Sequence, residues 1–242
     1  MTGIPLSNPS TLLIVAFEGW NDAGDSATTA AQMIVDQSGH EPLLEIDPEE
    51  YFDFHMARPE VEQGPDGARF LVWPTVTLFD PPTGDEEAPY VLLGHEPSRL
   101  WKSFASQMVD HALSEGIEAI VFLGAMLADV PHSRPVRVTC TSDDQAIRDH
   151  FDIEKSGYEG PVGVLTVLSL AAAEAGIPSL HLWAHVPHYV HTSPSPKVTL
   201  ALLEELQNRV GISTDRTDLE LEAMRWEEGI DALASDDDDM TA

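Results

Sequence analysis

The chain has 242 residues, 43% of them hydrophobic, with 42 acids against 12 bases and a formal net charge of −30. The length suits one large domain or two small ones with a sizeable core, and the charge excludes nucleic acid and anionic membrane surfaces as partners. The single cysteine, Cys140, excludes an intrachain disulfide framework and a cysteine cluster for zinc.

In chain order, "MTGIPLSNPS" lacks a basic region followed by an apolar stretch, so no signal peptide is expected. Runs such as "AIVFLGAMLA" are too short to span a bilayer, and a soluble, cytoplasmic protein is expected. "TLLIVAF" is a continuous, branched apolar run that suits a strand covered on both faces. "DSATTAAQMIVDQSG" reads as a helix, capped by Asp22 or Asp25 and ended by Gly39. "EPLLEID" is a short strand, "YFDFHMARPEVEQGPDGA" is irregular, and "RFLVWPTVTLFD" is strand-like with Pro74 interrupting it.

"YVLLGHEP" is the next strand. "SRLWKSFASQMVDHALSEG" is an amphipathic helix from Ser98 to Gly116, with Leu100, Trp101, Phe104, Met108 and Leu113 as its buried stripe. "IEAIVFLGAMLAD" is a second strand buried on both faces, "RPVRVTCTS" another strand, and "DDQAIRDHF" a short helix. "GYEGPVG" is a glycine-rich turn that leads into the helix "PVGVLTVLSLAAAEAGIP". "SLHLWAHV" is the last central strand, and "SPKVTLALLEELQNRVG" a helix begun at Ser195 and Pro196. Residues 212–242 carry eleven acids and two arginines; "DLELEAMRWEEGIDALA" suits a peripheral helix, and "SDDDDMTA" a disordered tail. Strands alternating with helices predict one three-layer α/β/α domain over residues 1–211 with a mostly parallel sheet.

Ligands of such sheets sit beyond the carboxyl ends of the strands, where "EGWNDAGD", residues 18–25, lies. Its chemistry is wrong for phosphate: Gly19 and Gly24 fit neither glycine-rich nucleotide motif, and Glu18, Asp22 and Asp25 bring carboxylates without a lysine. Tight ATP binding is therefore not expected. Other strand ends offer His95 and Glu96, Met126 and Asp129, and His185 with His188. His181, His185, His188 and His191 are the densest polar cluster, but two histidines four apart on a strand lie about 13 Å apart, too far for one metal. No metal, cofactor or catalytic set is expected. There is no G-x-S-x-G nucleophile elbow, and Ser169 sits mid-helix. The candidate ligand or partner site is Glu18, Trp20, Asn21 and Asp22, with Glu159 or His185 opposite.

The segments "LIVAFEGWNDAGDSAT", "IEAIVFLGAMLADVPHSRP", "GYEGPVGVL", "AEAGIPSLHLWAHVPHYV" and "SPKVTLALLEEL", in this order, resemble the proteasome assembly chaperone family in its second-chaperone branch, over about residues 10–210. The resemblance implies a phosphorylase/hydrolase-like α/β/α fold, similar to that of nucleoside phosphorylases. Eukaryotic and archaeal relatives chaperone the assembly of proteasome α-subunits. It therefore implies a non-enzymatic interaction or assembly protein on an enzyme-like fold; the alternative is a hydrolase or phosphorylase acting on a nucleoside or other small molecule at the strand ends. A homo-oligomer is expected, with a trimer preferred, from that resemblance and from the apolar residues of "YFDFHM" and "LVWPTV". Docking relatives can present a C-terminal hydrophobic–tyrosine–any-residue tail; here Met240 and Thr241 follow four aspartates, so no such anchor is expected.

Overall fold

The computed structural model describes residues 5–84, 87–190 and 194–236. The final "DDDMTA", including Met240 and Thr241, lies outside the described residues, as does His191.

A seven-stranded sheet runs in the order β2-β5-β6-β1-β7-β9-β8. Its strands are β1 (Leu12–Glu18), β2 (Glu41–Glu45), β5 (Val76–Asp80), β6 (Tyr90–His95), β7 (Ala119–Ala128), β8 (Val138–Thr141) and β9 (Ser179–Pro187). The four central strands β6, β1, β7 and β9 are parallel. The edges are antiparallel, β5 on β6, β2 on β5, and β8 on β9. The two strands expected to be buried on both faces occupy the centre. In β1, Leu12, Ile14 and Ala16 enter one core, and Leu13, Val15 and Phe17 the other. This alternation into two separate cores follows from the period of two in a strand.

One core is closed by α1 (Ser26–Ser38) and α6 (Pro196–Val210), with α7 (Thr217–Asp236) against α6. The other is closed by α3 (Trp101–Ser114) and α5 (Val164–Glu174), which pack on each other. Two short helices, α2 (Pro48–Tyr51) and α4 (Gln145–Phe151), fill the edges. The architecture is the expected three-layer α/β/α arrangement.

Three local expectations change. α3 begins at Trp101 rather than Ser98, because Leu100 adopts a left-handed conformation (φ 57°) that helix cannot include. Its buried face is Phe104, Ala105, Met108, Val109 and Ala112, while Leu100 and Leu113 are exposed. Leu113 lies one residue, and so about 100°, around the helix from Ala112. Second, the segment read as irregular contributes a strand, β3 (Glu60–Gln63), which forms a hairpin with β4 (Arg69–Val72), the part of the strand-like segment before Pro74, separate from the main sheet. Its turn is made by Gly67 at φ 79° and by the Asp66 carboxylate, which accepts from the N–H of Ala68 at 3.0 Å. Pro74 is thus the joint at which the chain leaves this ribbon and enters the main sheet as β5. Third, β7 runs past the helical layers, so that Met126 and Leu127 at its end are exposed.

Candidate functional site

The loop after β1 is set by two left-handed turns. Gly24 (φ 64°) and Asp25 (φ 49°) fold the chain back from the strand end and aim it into α1. The N–H of Ala125 on β7 donates to the Asn21 carbonyl at 2.8 Å, which anchors the loop to the neighbouring strand. The Asp22 side chain then turns under the helix. Its carboxylate accepts from the Ala27 N–H at 2.6 Å, from the Thr28 N–H at 3.3 Å and from the Thr28 hydroxyl. Asp25 precedes the helix but its side chain makes no capping bond, so Asp22 alone of the two satisfies the helix end. The orphan donors that bind phosphate in other folds are filled here by the protein's own carboxylate. Burial raises the Asp22 pKa to about 6, against the lowering effect of those three bonds.

A second carboxylate ties this loop to the other face of the sheet. Glu96, just past β6, accepts from the Val164 N–H at 2.7 Å and from the Asn21 amide at 3.5 Å. Val164 is the first residue of α5, and the residue before it, Gly163, has no side chain to cap the helix. Glu96 therefore caps α5 from a distance of 68 residues along the chain. A Cβ on Gly163 would lie 2.2 Å from the Asn21 amide nitrogen and 2.7 Å from the Glu96 carboxylate, so any side chain here must displace the groups that make this junction. Partial burial raises the Glu96 pKa.

Glu18 faces outward and pairs with His95 at 3.0 Å, both half-exposed. Trp20 makes the opposite choice to its neighbours: its side chain is 73% exposed on a loop whose other residues are tied down by hydrogen bonds. Glu159 is exposed on the loop ahead of α5 and makes no hydrogen bond or ion pair among the described residues. His185 lies on β9 opposite Met126, and its Nε2 meets the Thr139 hydroxyl at 2.9 Å on the far side, away from the Asp22 loop. Burial, together with Arg137, lowers its pKa.

The structure thus brings Glu18, Trp20, Asn21 and Asp22 together on one loop and joins Glu96 to them. It draws neither Glu159 nor His185 into hydrogen-bonding contact with that loop. Glu96 stood among the strand-end residues in the sequence, but nothing there marks it as the cap of a helix 68 positions away. Gly163 carried no signal at all beyond membership of a glycine-rich turn.

The histidine cluster spreads apart. His181 is partly buried and stacked on Phe122 at 4.8 Å, with its Nε2 2.9 Å from the Ser169 hydroxyl, and desolvation lowers its pKa to about 4. His188 lies beside Tyr189, and no group of three or more histidine, cysteine or acidic side chains among the described residues is placed to hold a metal ion. Burial pushes the Cys140 thiol up to about 11, which leaves it protonated and unreactive at neutral pH.

The strand-end geometry defines an open α/β protein whose Asp22 and Glu96 carboxylates are committed to its own helix ends. The chain belongs to the PAC2 family, whose model matches residues 16–234. It is similar to a PAC2 family protein from Streptomyces avermitilis, with 38% identity, coverage of 95% of this chain and 97% of that one, and a TM-score of 0.87. It is also similar to a proteasome-assembly chaperone homologue from Mycobacterium tuberculosis, with 35% identity, 95% and 98% coverage, and a TM-score of 0.85. An archaeal proteasome activator from Pyrococcus furiosus shares the fold alone, at 16% identity, 92% coverage of each chain and a TM-score of 0.69. No match is found among curated proteins. The resemblance read from the sequence holds at the level of the family.

Proposed function

We propose that the chain is a non-enzymatic protein-interaction or assembly-chaperone-like protein, and that the strand-end face around Trp20 is part of its contact surface. One contrast carries the reading. The two carboxylates drawn inward at this position, Asp22 and Glu96, are occupied in holding α1 and α5, and Glu18 pairs with His95, while the largest apolar side chain of the loop is left in water. Tryptophan with both bulk and an indole N–H is the residue type that most often dominates protein contacts. The M. tuberculosis relative described as a proteasome-assembly chaperone homologue supports the same class of role. We propose further that the protein works as a homo-oligomer, with three copies preferred, in the cytoplasm, and without nucleic acid or membrane as partner.

One observation favours the alternative, a hydrolase or phosphorylase of a nucleoside or other small molecule. Asp22 is a buried strand-end acid with a raised pKa, and such groups cluster in active sites. Its oxygens are nevertheless turned into the helix rather than toward solvent.

The test is capture of partners from native lysate of the source organism by tagged wild-type protein and by Trp20→Ala. A protein recovered in fixed stoichiometry with wild type and depleted at least tenfold with Trp20→Ala is the expected result. Equal recovery with both proteins would remove Trp20 from the contact surface.

A further inference from the structure

The β3–β4 ribbon stands apart from both cores. Each of its eight strand residues is exposed. Its register pairs Glu60 with Val72, Val61 with Leu71, Glu62 with Phe70 and Gln63 with Arg69. Directly paired residues of an antiparallel ribbon share a face. One face therefore carries Glu60, Glu62, Phe70 and Val72, and the other Val61, Gln63, Arg69 and Leu71. Neither face is covered: Phe70 and Val72 are 49% and 41% exposed, Val61 and Leu71 51% and 49%. Trp73, at the root, leans on Phe54 at 5.0 Å and is still 40% exposed.

Single exposed hydrophobic residues are ordinary, but five on one two-stranded ribbon are not. A lone hairpin is also marginal in water without a further layer packed on it. The two faces differ in charge as well. Two carboxylates flank the apolar pair on one face, and Arg69 flanks the pair on the other. The Arg69 guanidinium has no ion pair or hydrogen bond among the described residues, in a chain where acids outnumber bases by 42 to 12.

We infer that the ribbon is a contact between copies of this chain, with the carboxylate face of one ribbon laid on the arginine face of the next. The inference rests on the self-association proposed above and names the surface that makes it. The occupant is a second copy because the two faces of one ribbon complement each other, apolar pair on apolar pair and Glu60 or Glu62 opposite Arg69. Such a contact joins unlike faces. Two copies would leave one face of each sign open, so closure needs a ring of three or more. Half-exposed side chains of this size offer on the order of 100 Å² each. Ribbon on ribbon then buries on the order of 1,000 Å² in total, the lower end of a specific interface. Pairing Arg69 with glutamates also offsets part of the repulsion between chains of charge −30.

The experiment is light scattering at physiological salt on wild type, Arg69→Glu, the exchange variant Glu60→Arg/Glu62→Arg/Arg69→Glu, and Phe70→Asp/Leu71→Asp. Arg134→Glu, an exposed arginine outside the ribbon, controls for net charge. All these positions are exposed, and circular dichroism checks that each variant is folded. The expected masses are three or more copies for wild type, the control and the exchange variant, and one copy for Arg69→Glu and the double aspartate variant. A monomeric wild type overturns both self-association and this inference. An oligomer unchanged in Arg69→Glu and in Phe70→Asp/Leu71→Asp overturns the ribbon contact alone. Loss in Arg69→Glu that the exchange variant does not restore overturns the ribbon-on-ribbon pairing, because the arginine would then face a different surface.

Discussion

Asp22, buried, and His181, partly buried, are groups whose titrations oppose each other. An aspartate in the unfolded chain titrates near 3.8, and Asp22 in the fold near 6. Between those values the folded protein keeps a proton that the unfolded chain has released. The stability contributed by protonated Asp22 is therefore full below pH 3.8 and is lost as pH rises through 6, up to ~3 kcal/mol. His181 runs the other way. It titrates near 6.5 unfolded and near 4 folded, so its contribution is present above pH 6.5 and is lost as pH falls toward 4. Replacing Asp22 by Asn removes one of the two. Relative to wild type, Asp22→Asn should gain stability as pH is raised from 4 to 6, read from urea midpoints, whatever constant loss its altered helix cap adds. Parallel curves for the two proteins would place the Asp22 titration outside this window. At this scale the sequence was partly legible. A carboxylate just ahead of a helix announces a cap, so Asp22 could be named; Gly163 could not, because its role is to leave room for Asn21 and Glu96, which lie far away in the chain. Gly163→Ala should cost roughly 1–3 kcal/mol through overpacking at that junction, measured by thermal or urea unfolding. An unchanged midpoint would show that the loop yields to the methyl group.

Elements with strong periodicity or continuous apolar runs were legible: β1, β7, β9, α1 and α6 stand where their patterns put them. The β3–β4 ribbon was not, because four-residue strands that bury nothing leave no alternation to detect, and Pro74 made β4 and β5 look like one interrupted strand. α7 shows a different limit. Its acidic composition suggests a solvated helix, yet its Ile230 is buried, and His132 reaches Asp231 at 2.9 Å through Nε2 and the Tyr189 hydroxyl at 2.9 Å through Nδ1. Lys197 adds bonds to Glu227 and to the His132 carbonyl, each at 2.6 Å. These cross-links reach up to Asp231, so the last turns of α7 should matter where the following residues do not. A chain ending at Asp236 should unfold at the wild-type temperature. One ending at Ile230 should lose on the order of 1 kcal/mol, a few degrees for a chain of this size. Equal melting of all three proteins would show that the His132–Asp231 contact contributes nothing.

At the scale of the whole molecule, one logic connects the parts. An α/β/α sheet places its strand-end loops where other proteins bind ligands. Here two of the carboxylates in that region, Asp22 and Glu96, face helix N-termini on opposite sides of the sheet and lock the loop between them. Open to water are the Glu18–His95 pair, Asp25 and, as apolar surface, Trp20 beside the strand ends and the ribbon with its two unlike faces. A fold of this class can hold catalytic chemistry or contact chemistry, and the site rather than the fold decides. The central claim is that these strand-end acids are structural. Its most direct test is turnover, with and without phosphate, of a panel of purine and pyrimidine nucleosides by the purified protein, beside Glu96→Gln. The expected result is no base release above the buffer rate by either protein. Release by wild type that falls a hundredfold or more in Glu96→Gln, with the fold intact, would contradict it and make the strand ends an active site.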